Sequence, residues 1–570
     1  MKKIVRTPED NQKAQLENEV ARLNKKIAKY EALELKQLNY GLVWLDVPEA
    51  FEDDVENKLP ILEEVPKLAI NSKDGKPTHL LIEGDNYHAL TCLNYTHKGK
   101  VDVIYIDPPY NTGSDGFKYK DKRFLKEYPD GTEVPIDHPL RHSYWLSFMK
   151  KRLELAKDIL KDAGVIFISI DDNEYAQLKL LCDEIFGEKN FIQNFMWLHG
   201  KGKKDTWSRT LQQYILCYAK DKSKLNPWIV LNSANYNYQN PDNDKRGAWF
   251  SGSISFSEER SNKKHKNYFE IKSPSGIVWK RQWQCSYEEM KDYLKQKKIF
   301  FGLAPKYDAV PRIKIFPDDI SEQIPSNIID GVGTTREAQK SLDGMFGEKV
   351  LDYPKPVGLI RHLLDISFGS DDILVLDFFA GSGTTGEAVL ELNKKDNGRR
   401  RFILITNNDE ITNGKKHKIM SDVCYPRVKN IIRGYNGNEG LGNSIRYFKA
   451  AFVGKNSILK ADDRDKIELA HNAGGMLAIA ENTFEQVEKT DHWQIFENGK
   501  QYTAVYFREE FTKYEEFEKK VKSLKKLVVV YIFSWEKELE FSEFEDEKNI
   551  TVKTIPQPIL EIYKQIYNLV

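Results

Sequence analysis

The sequence predicts an α/β protein: a mostly parallel sheet built from two separated stretches, a long insertion between them, and a small C-terminal α+β domain. Three observations predict it. Short apolar, β-branched runs at Val101–Ile106, Gly164–Ile170 and Ile373–Asp377 read as strands buried on both faces. Two strands end abruptly in turns that carry chemistry, Asp107-Pro108-Pro109-Tyr110 and Asp377-Phe378-Phe379-Ala380-Gly381-Ser382-Gly383-Thr384-Thr385. Open α/β sheets bind their ligands at such carboxyl ends. Between the two, residues 201–314 hold 23 Lys and Arg against 11 Asp and Glu, on a chain whose net charge is zero.

At 570 residues the chain is too long for one ordinary domain. The boundaries read from texture are 1–40, 41–200, 201–330, 331–453 and 454–570. Leu16, Val20, Leu23, Ile27 and Tyr30 recur at helical spacing within residues 9–39. That helix packs on its own domain or makes a dimer contact; two heptads are too few for a coiled coil. The opening MKKIVRTPEDNQ turns polar at once, and no 18-residue apolar run follows, which predicts no secretory leader and no membrane span. Five scattered cysteines without a C-x-x-C pair predict a reducing, cytoplasmic setting, with neither disulfides nor a metal site.

Residues 79–86, HLLIEGDN, form a further predicted strand ending in Gly84-Asp85. Asp85 either caps the following helix, 87–95, or faces a ligand at the sheet edge. The Asp107 turn then displays a carboxylate, a rigid carbonyl and an aromatic ring. Two prolines cannot continue a ladder, and Pro109 keeps Pro108 out of the α region. This set suits attack by a weak amine. The exocyclic amino group of a base is a poor nucleophile because its lone pair is delocalised. Asp107 and the Pro108 carbonyl can each accept one of its N–H bonds, and Tyr110 can stack on the ring.

The loop FKYKDKRFLKEYPDG after Tyr110 mixes basic and aromatic residues, as a flipped base and nearby phosphates require. A helix is predicted over 143–155. Asp171 and Asp172, after the next strand, read as helix-capping. In the basic insertion Lys263, Lys264 and Lys266 form one of the densest clusters and are candidate phosphate contacts. Gly381 and Gly383 let backbone pass close to a ligand, and the helix start at Thr384 favours a carboxylate. The C-terminal region reads as a helix over 468–487, a hairpin with Asn498-Gly499 at its tip, a helix over 514–524, strands at 527–533 and 550–555, and a final helix over 557–567.

Asp107-Pro108-Pro109-Tyr110, continuing as Asn111-Thr112-Gly113 and Phe117-Lys118-Tyr119, resembles the catalytic motif of amino-methylating DNA methyltransferases, above all the modification subunits of type III restriction systems. The turn at Asp377–Thr385 is similar to the S-adenosylmethionine turn of the same family. The catalytic motif precedes the cofactor motif by 270 positions, an order that resembles the circularly permuted β class of adenine methyltransferases. The resemblance covers roughly residues 40–453. It implies a Rossmann-like methyltransferase sheet, a target-recognition insertion over 201–330, and N6 methylation of an adenine flipped out of double-stranded DNA. It implies cofactor contacts by Asp85, Asn86, Asp107, Lys355, Asp377, Phe378, Phe379, Ala380, Gly381, Ser382, Gly383, Thr384, Thr385 and Asn408. It also implies DNA contacts by Lys118 and Tyr119, a homodimer, and a restriction (helicase–nuclease) subunit as partner in a bacterium or archaeon. Competing readings are N4-cytosine methylation by the same residues, modification of RNA or of a protein glutamine, and a DNA-binding subunit with no activity alone.

Overall fold

The computed structural model describes residues 36–37, 43–46 and 58–560, except 73, 113–123, 129, 201–206, 229–237, 320–323, 369–370, 414, 455–462, 508–510, 534–541 and 558. The expected N-terminal helix and its dimer contact, and the candidates Lys118 and Tyr119, lie outside the described residues. The chain divides into two compact units, one of residues 1–226 with 327–570, the other of 227–326.

The first unit is built on a ten-stranded sheet. Its strands in chain order are β1 (Lys58–Glu64), β2 (Thr78–Glu83), β3 (Val101–Ile106), β4 (Leu160–Ile170), β5 (Phe191–Leu198), β6 (Gln212–Ala219), β7 (Ile328–Ile329), β8 (Leu374–Asp377), β9 (Arg401–Thr406) and β10 (Ser444–Gly454). Their order across the sheet is β7-β5-β6-β4-β3-β8-β9-β2-β10-β1. The centre, from β4 through β3, β8, β9 and β2 to β10, is parallel. β6 runs antiparallel to both β4 and β5. All six residues of β3 and all four of β8 are buried, because parallel strands carry helices on both faces.

The helices of this part of the unit are α1 (Asn86–Thr96), α2 (Ser143–Ile159), α3 (Tyr175–Phe186), α4 (Thr335–Phe346), α5 (Val357–Ser367), α6 (Thr384–Asp396) and α7 (Tyr425–Arg433). Trp145, Phe148, Met149 and Leu153 of α2 join Ile104 and Ile106 of β3 in one core cluster. Each such side chain contributes roughly 2 kcal/mol by leaving water.

The C-terminal elements belong to the same compact unit. α8 (Asp463–Ala480) packs against β1, and its Ala470, Ala473, Met476 and Leu477 extend the main core. The helix expected over 468–487 thus starts earlier and stops at Ala480. Asn482 adopts a left-handed φ of 57°, and Glu485–Lys489 forms a strand instead, because its pairing with Trp493–Glu497 satisfies the backbone that a longer helix would have used. Five strands in sequential order complete this sheet, with the Asn498-Gly499 hairpin where it was expected.

The second unit has a three-stranded antiparallel sheet of Phe250–Ser253, Ile299–Phe300 and Arg312–Ile315, a hairpin of Tyr268–Lys272 with Val278–Gln282, and a helix, Tyr287–Lys295. Trp283, Met290, Ile271 and Phe301 form its core. Residues 213–219, which the sequence reads as one more strand although the bound drawn at 201 puts them with the insertion, lie in β6 of the large sheet.

Candidate active site

β3 and β8 are adjacent and parallel, with Val103 opposite Val375 and Ile104 opposite Leu376. Both strands therefore discharge their turns at one edge of the sheet, although the two turns lie 270 positions apart in sequence. The turns line a single cavity of about 1190 Å³ within the first unit. Its walls include Asp107, Pro108, Pro109 and Tyr110 on one side and Asp377, Phe378, Phe379, Ala380, Gly381, Ser382, Thr384 and Thr385 on the other.

On the first side the Asp107 carboxylate receives three hydrogen bonds. Lys355 Nζ donates to both oxygens at 2.7 Å, and the Tyr110 hydroxyl donates to Oδ1 at 2.6 Å. Lys355 Nζ also donates to the Tyr110 hydroxyl oxygen at 2.9 Å. Burial and the neighbouring Asp107 push the Tyr110 phenol well above its ordinary pKa, so it remains an O–H donor at neutral pH. Trp145 Nε1 donates to the Pro109 carbonyl at 2.7 Å and pins the turn to α2. The Pro108 carbonyl accepts no hydrogen bond among the described residues. Just beyond, Asn111 takes a left-handed φ of 62° and donates through Nδ2 to Glu174 Oε1 at 2.6 Å. His142 Nδ1 meets the same oxygen at 2.6 Å. Glu174 is fully buried, and that burial raises its carboxyl pKa.

On the second side Asp377 is fixed by the loop that follows it. Its carboxylate accepts from the Phe379 amide at 3.0 Å and from the Thr385 hydroxyl at 2.6 Å. Burial pushes its pKa up to about 7. Gly381 and Gly383 have φ values of 49° and 82°, which a side chain would strain. At Gly383 a Cβ would also press on Cys424 Sγ at 3.2 Å. Arg427 of α7, buried, donates to Ser382 Oγ at 2.6 Å, to Thr384 Oγ1 at 2.9 Å and to Glu387 at 2.8 Å. Asn86 Nδ2 donates to the Phe378 carbonyl at 2.9 Å while its Oδ1 accepts from the buried Arg152 at 2.6 Å. Asn407 lines the cavity with a buried Oδ1 that has no hydrogen-bond partner among the described residues.

These residues fit S-adenosylmethionine. The amino end of the 13-residue α6 opens onto the cavity and favours a carboxylate, the Asn407 oxygen offers an acceptor to a hydroxyl, and the Phe379 ring offers a flat apolar surface.

Most of the expected cofactor set thus comes together, with four differences of placement. Asp85 caps α1, accepting from the Tyr87 amide at 2.8 Å, and does not line the cavity. Asn408 is engaged by Glu83 at 3.3 Å and by the Ser421 amide at 3.0 Å, and its neighbour Asn407 faces the cavity instead. Gly383 shapes the loop from behind, without lining the cavity. Lys355 sits on the Asp107 carboxylate. Lys263, Lys264 and Lys266 are exposed on the second unit and make no ion pair among the described residues. Arg427, Glu174 and a cavity position for Gln213 escape a reading of the sequence, whereas Asn407 is one of four residues, Asn407-Asn408-Asp409-Glu410, that the sequence offers for ribose hydroxyls at the end of the strand 401–406. None of the first three belongs to a local motif, and each gains its role from a partner distant in the chain or from the strand topology.

Comparison with known proteins agrees with this geometry. A family model described as DNA methylase matches residues 101–417. The StyLTI Mod subunit, a type III restriction-modification enzyme of Salmonella typhimurium LT2, is 34% identical over 74% of this chain and 68% of its own. The EcoPI Mod subunit of Escherichia phage P1 is 30% identical over 69% of this chain and 67% of its own. The type II methyltransferase M.KpnI of Klebsiella pneumoniae is 32% identical over 58% of this chain and 80% of its own. The matched part therefore spans about two thirds of the length of the Mod relatives. S-adenosylmethionine is the cofactor of this methyltransferase family. An Asp-Pro-Pro-Tyr turn and a Gly-Ser-Gly turn side by side over one cavity, in a sequence this close to Mod subunits, place the chain in the DNA methylase family, among the Mod subunits of type III restriction-modification enzymes.

Proposed function

We propose that the chain methylates the N6 amino group of an adenine flipped out of double-stranded DNA, as the modification subunit of a restriction-modification system. The observation that carries this is the single cavity in which the Asp107 turn faces the Gly381–Gly383 loop. Methyl transfer needs nitrogen and sulfonium in line and within a few ångströms, and adjacent parallel strands supply that proximity. S-adenosylmethionine, when bound, supplies an electrophilic methyl group.

The protein's own part is to bind and polarise the amine. A paired adenine cannot bring its amino group to Asp107, so the base leaves the duplex. Asp107 and the Pro108 carbonyl accept its two N–H bonds and favour a more tetrahedral nitrogen as positive charge develops. Tyr110 stacks on the ring and steadies the carboxylate through its hydroxyl. Lys355 and Tyr110 fill three of the roughly four acceptor sites of the Asp107 carboxylate, so the amine either takes the site left on Oδ2 or displaces the Lys355 ammonium. The resemblance to adenine methyltransferases, whose motif is headed by an aspartate and not a serine, favours adenine over cytosine as the target.

The names of the relatives support a restriction subunit as partner. The chain acts as a homodimer in the cytoplasm, and among the described residues no helix is long and apolar enough to cross a membrane. Lys118, Tyr119 and the exposed Lys263, Lys264 and Lys266 contact DNA phosphates. The test is incubation of the full chain with duplex DNA and methyl-labelled cofactor, followed by digestion to nucleosides. Label on N6-methyl-2′-deoxyadenosine is expected; label on deoxycytidine alone, or none, overturns the adenine reading.

A further inference from the structure

We propose that Gln213 reads the ring of the flipped base through its side-chain amide and so takes part in selecting the base. This rests on the proposed function, which puts the base in the cavity beside Asp107.

Gln213 lines the same cavity as Asp107. It comes from the second residue of β6, which would ordinarily put it at the opposite edge of a parallel sheet. β6 runs antiparallel to β4, however, with Tyr214 opposite Ile170, so the start of β6 lies where β4 ends. That brings Gln213 to the edge from which Asp107 emerges. In the sheet order β6 is separated from the cofactor strand β8 by β4 and β3. Gln213 therefore stands on the far side of Asp107 from the Gly381–Gly383 loop, with Asp171 and His199 as cavity neighbours.

Gln213 Oε1 is buried without a hydrogen-bond partner among the described residues. The adjacent Gln212 differs: its Nε2 donates to the Tyr214 hydroxyl at 3.4 Å. A buried amide oxygen that gains nothing from the protein is disfavoured against an apolar group of similar size, so its presence at the cavity points to a ligand that completes it. A half-turn of the amide exchanges its oxygen and its NH2, so the same position presents either an acceptor or a donor. With the amino group of the base held by Asp107 and Pro108, what remains for this side chain is the ring, whose nitrogens are acceptors. The donor orientation then matches adenine N7, an acceptor that cytosine replaces with a C5–H. A site built to hydrogen-bond a substrate discriminates more strongly than an apolar wall of the same shape.

The test uses the full chain, unmethylated plasmid DNA and labelled S-adenosylmethionine, with Gln213→Leu and Gln213→Glu. Leucine removes both donor and acceptor, whereas glutamate keeps the size and loses the donor. Both variants are expected to lower kcat/KM for DNA by about tenfold or more while the cofactor Kd stays within a few-fold, and to raise the share of label on cytosine. Wild-type kcat/KM in both variants overturns the inference. Should Gln213→Leu fail to bind cofactor and so fail to fold, the near-isosteric Gln213→Glu decides alone. Label on cytosine in the wild-type protein overturns the adenine reading and leaves Gln213 to be judged by the same ratio on that base. No label on any base overturns both.

Discussion

The two walls of the cavity are built on different plans. The wall proposed for the cofactor is closed on itself: Asp377 is held by Thr385 and Phe379, Ser382 and Thr384 by Arg427, and the Phe378 carbonyl by Asn86. The wall proposed for the base is held by a partner that a substrate can replace, or is left open. Lys355 covers Asp107, and among the described residues the Pro108 carbonyl accepts nothing and the Gln213 amide oxygen is unpartnered. A binding loop gains from rigidity, because order already present need not be imposed when the ligand arrives. A reacting wall must keep acceptors that the amine can claim, and strong internal partners there would compete with the transition state.

The largest expected effect breaks the base wall alone. Asp107→Ala should lower methyl transfer by about a thousandfold or more while cofactor affinity stays within a few-fold. Labelled transfer and calorimetry check this, and an equal fall in cofactor affinity would mean the two walls are not separate. Lys355→Met comes next and tells apart the two places a lysine here can serve. If it acts on Asp107, as its 2.7 Å contacts indicate, kcat falls by about ten- to a hundredfold with cofactor Kd nearly unchanged. A large rise in Kd instead would return it to the cofactor.

Asp377 offers a smaller, pH-dependent comparison. Its carboxyl titrates at about 7 in the folded protein, against an ordinary value of 3.8. The folded state therefore holds its proton more tightly than the unfolded state. Its favourable contribution is complete below about pH 3.8 and is lost as pH rises through 7, at about 1.4 kcal/mol per pH unit within that window. Asp377→Asn should flatten that part of the stability–pH curve, measured by denaturant unfolding from roughly pH 5 to roughly pH 8. The smallest effect lies outside both walls. Replacing Lys263, Lys264 and Lys266 with alanine should reduce the salt slope of DNA binding by about one for each phosphate no longer neutralised, with cofactor binding untouched. An unchanged slope would remove that cluster from the DNA interface.

Much of this is legible in the chain. The strands at 101–106 and 373–377 announce themselves because parallel strands buried on both faces must be continuously apolar. The helix after Thr384 and the hairpin at Asn498-Gly499 follow from local turn chemistry. The end of α8 is not legible, since Asn482 halts the helix in favour of a strand pairing that only the folded sheet provides. Asp85 is readable either as a cap or as a ligand, and the distance to the Tyr87 amide decides for the cap.

The sequence by itself determined the reactive parts: an aspartate, two prolines and a tyrosine at one strand end, and a glycine-rich turn at another. Both are local, because turn geometry and strand burial depend on neighbours a few residues away. Tertiary structure alone decided what faces them. The Lys355 ammonium lies 248 positions from the carboxylate it covers, and Gln213 reaches the cavity only because β6 runs against β4. Long-range proximity of this kind depends on strand order and direction, which are set by how whole layers pack and leave no mark within any short stretch of residues.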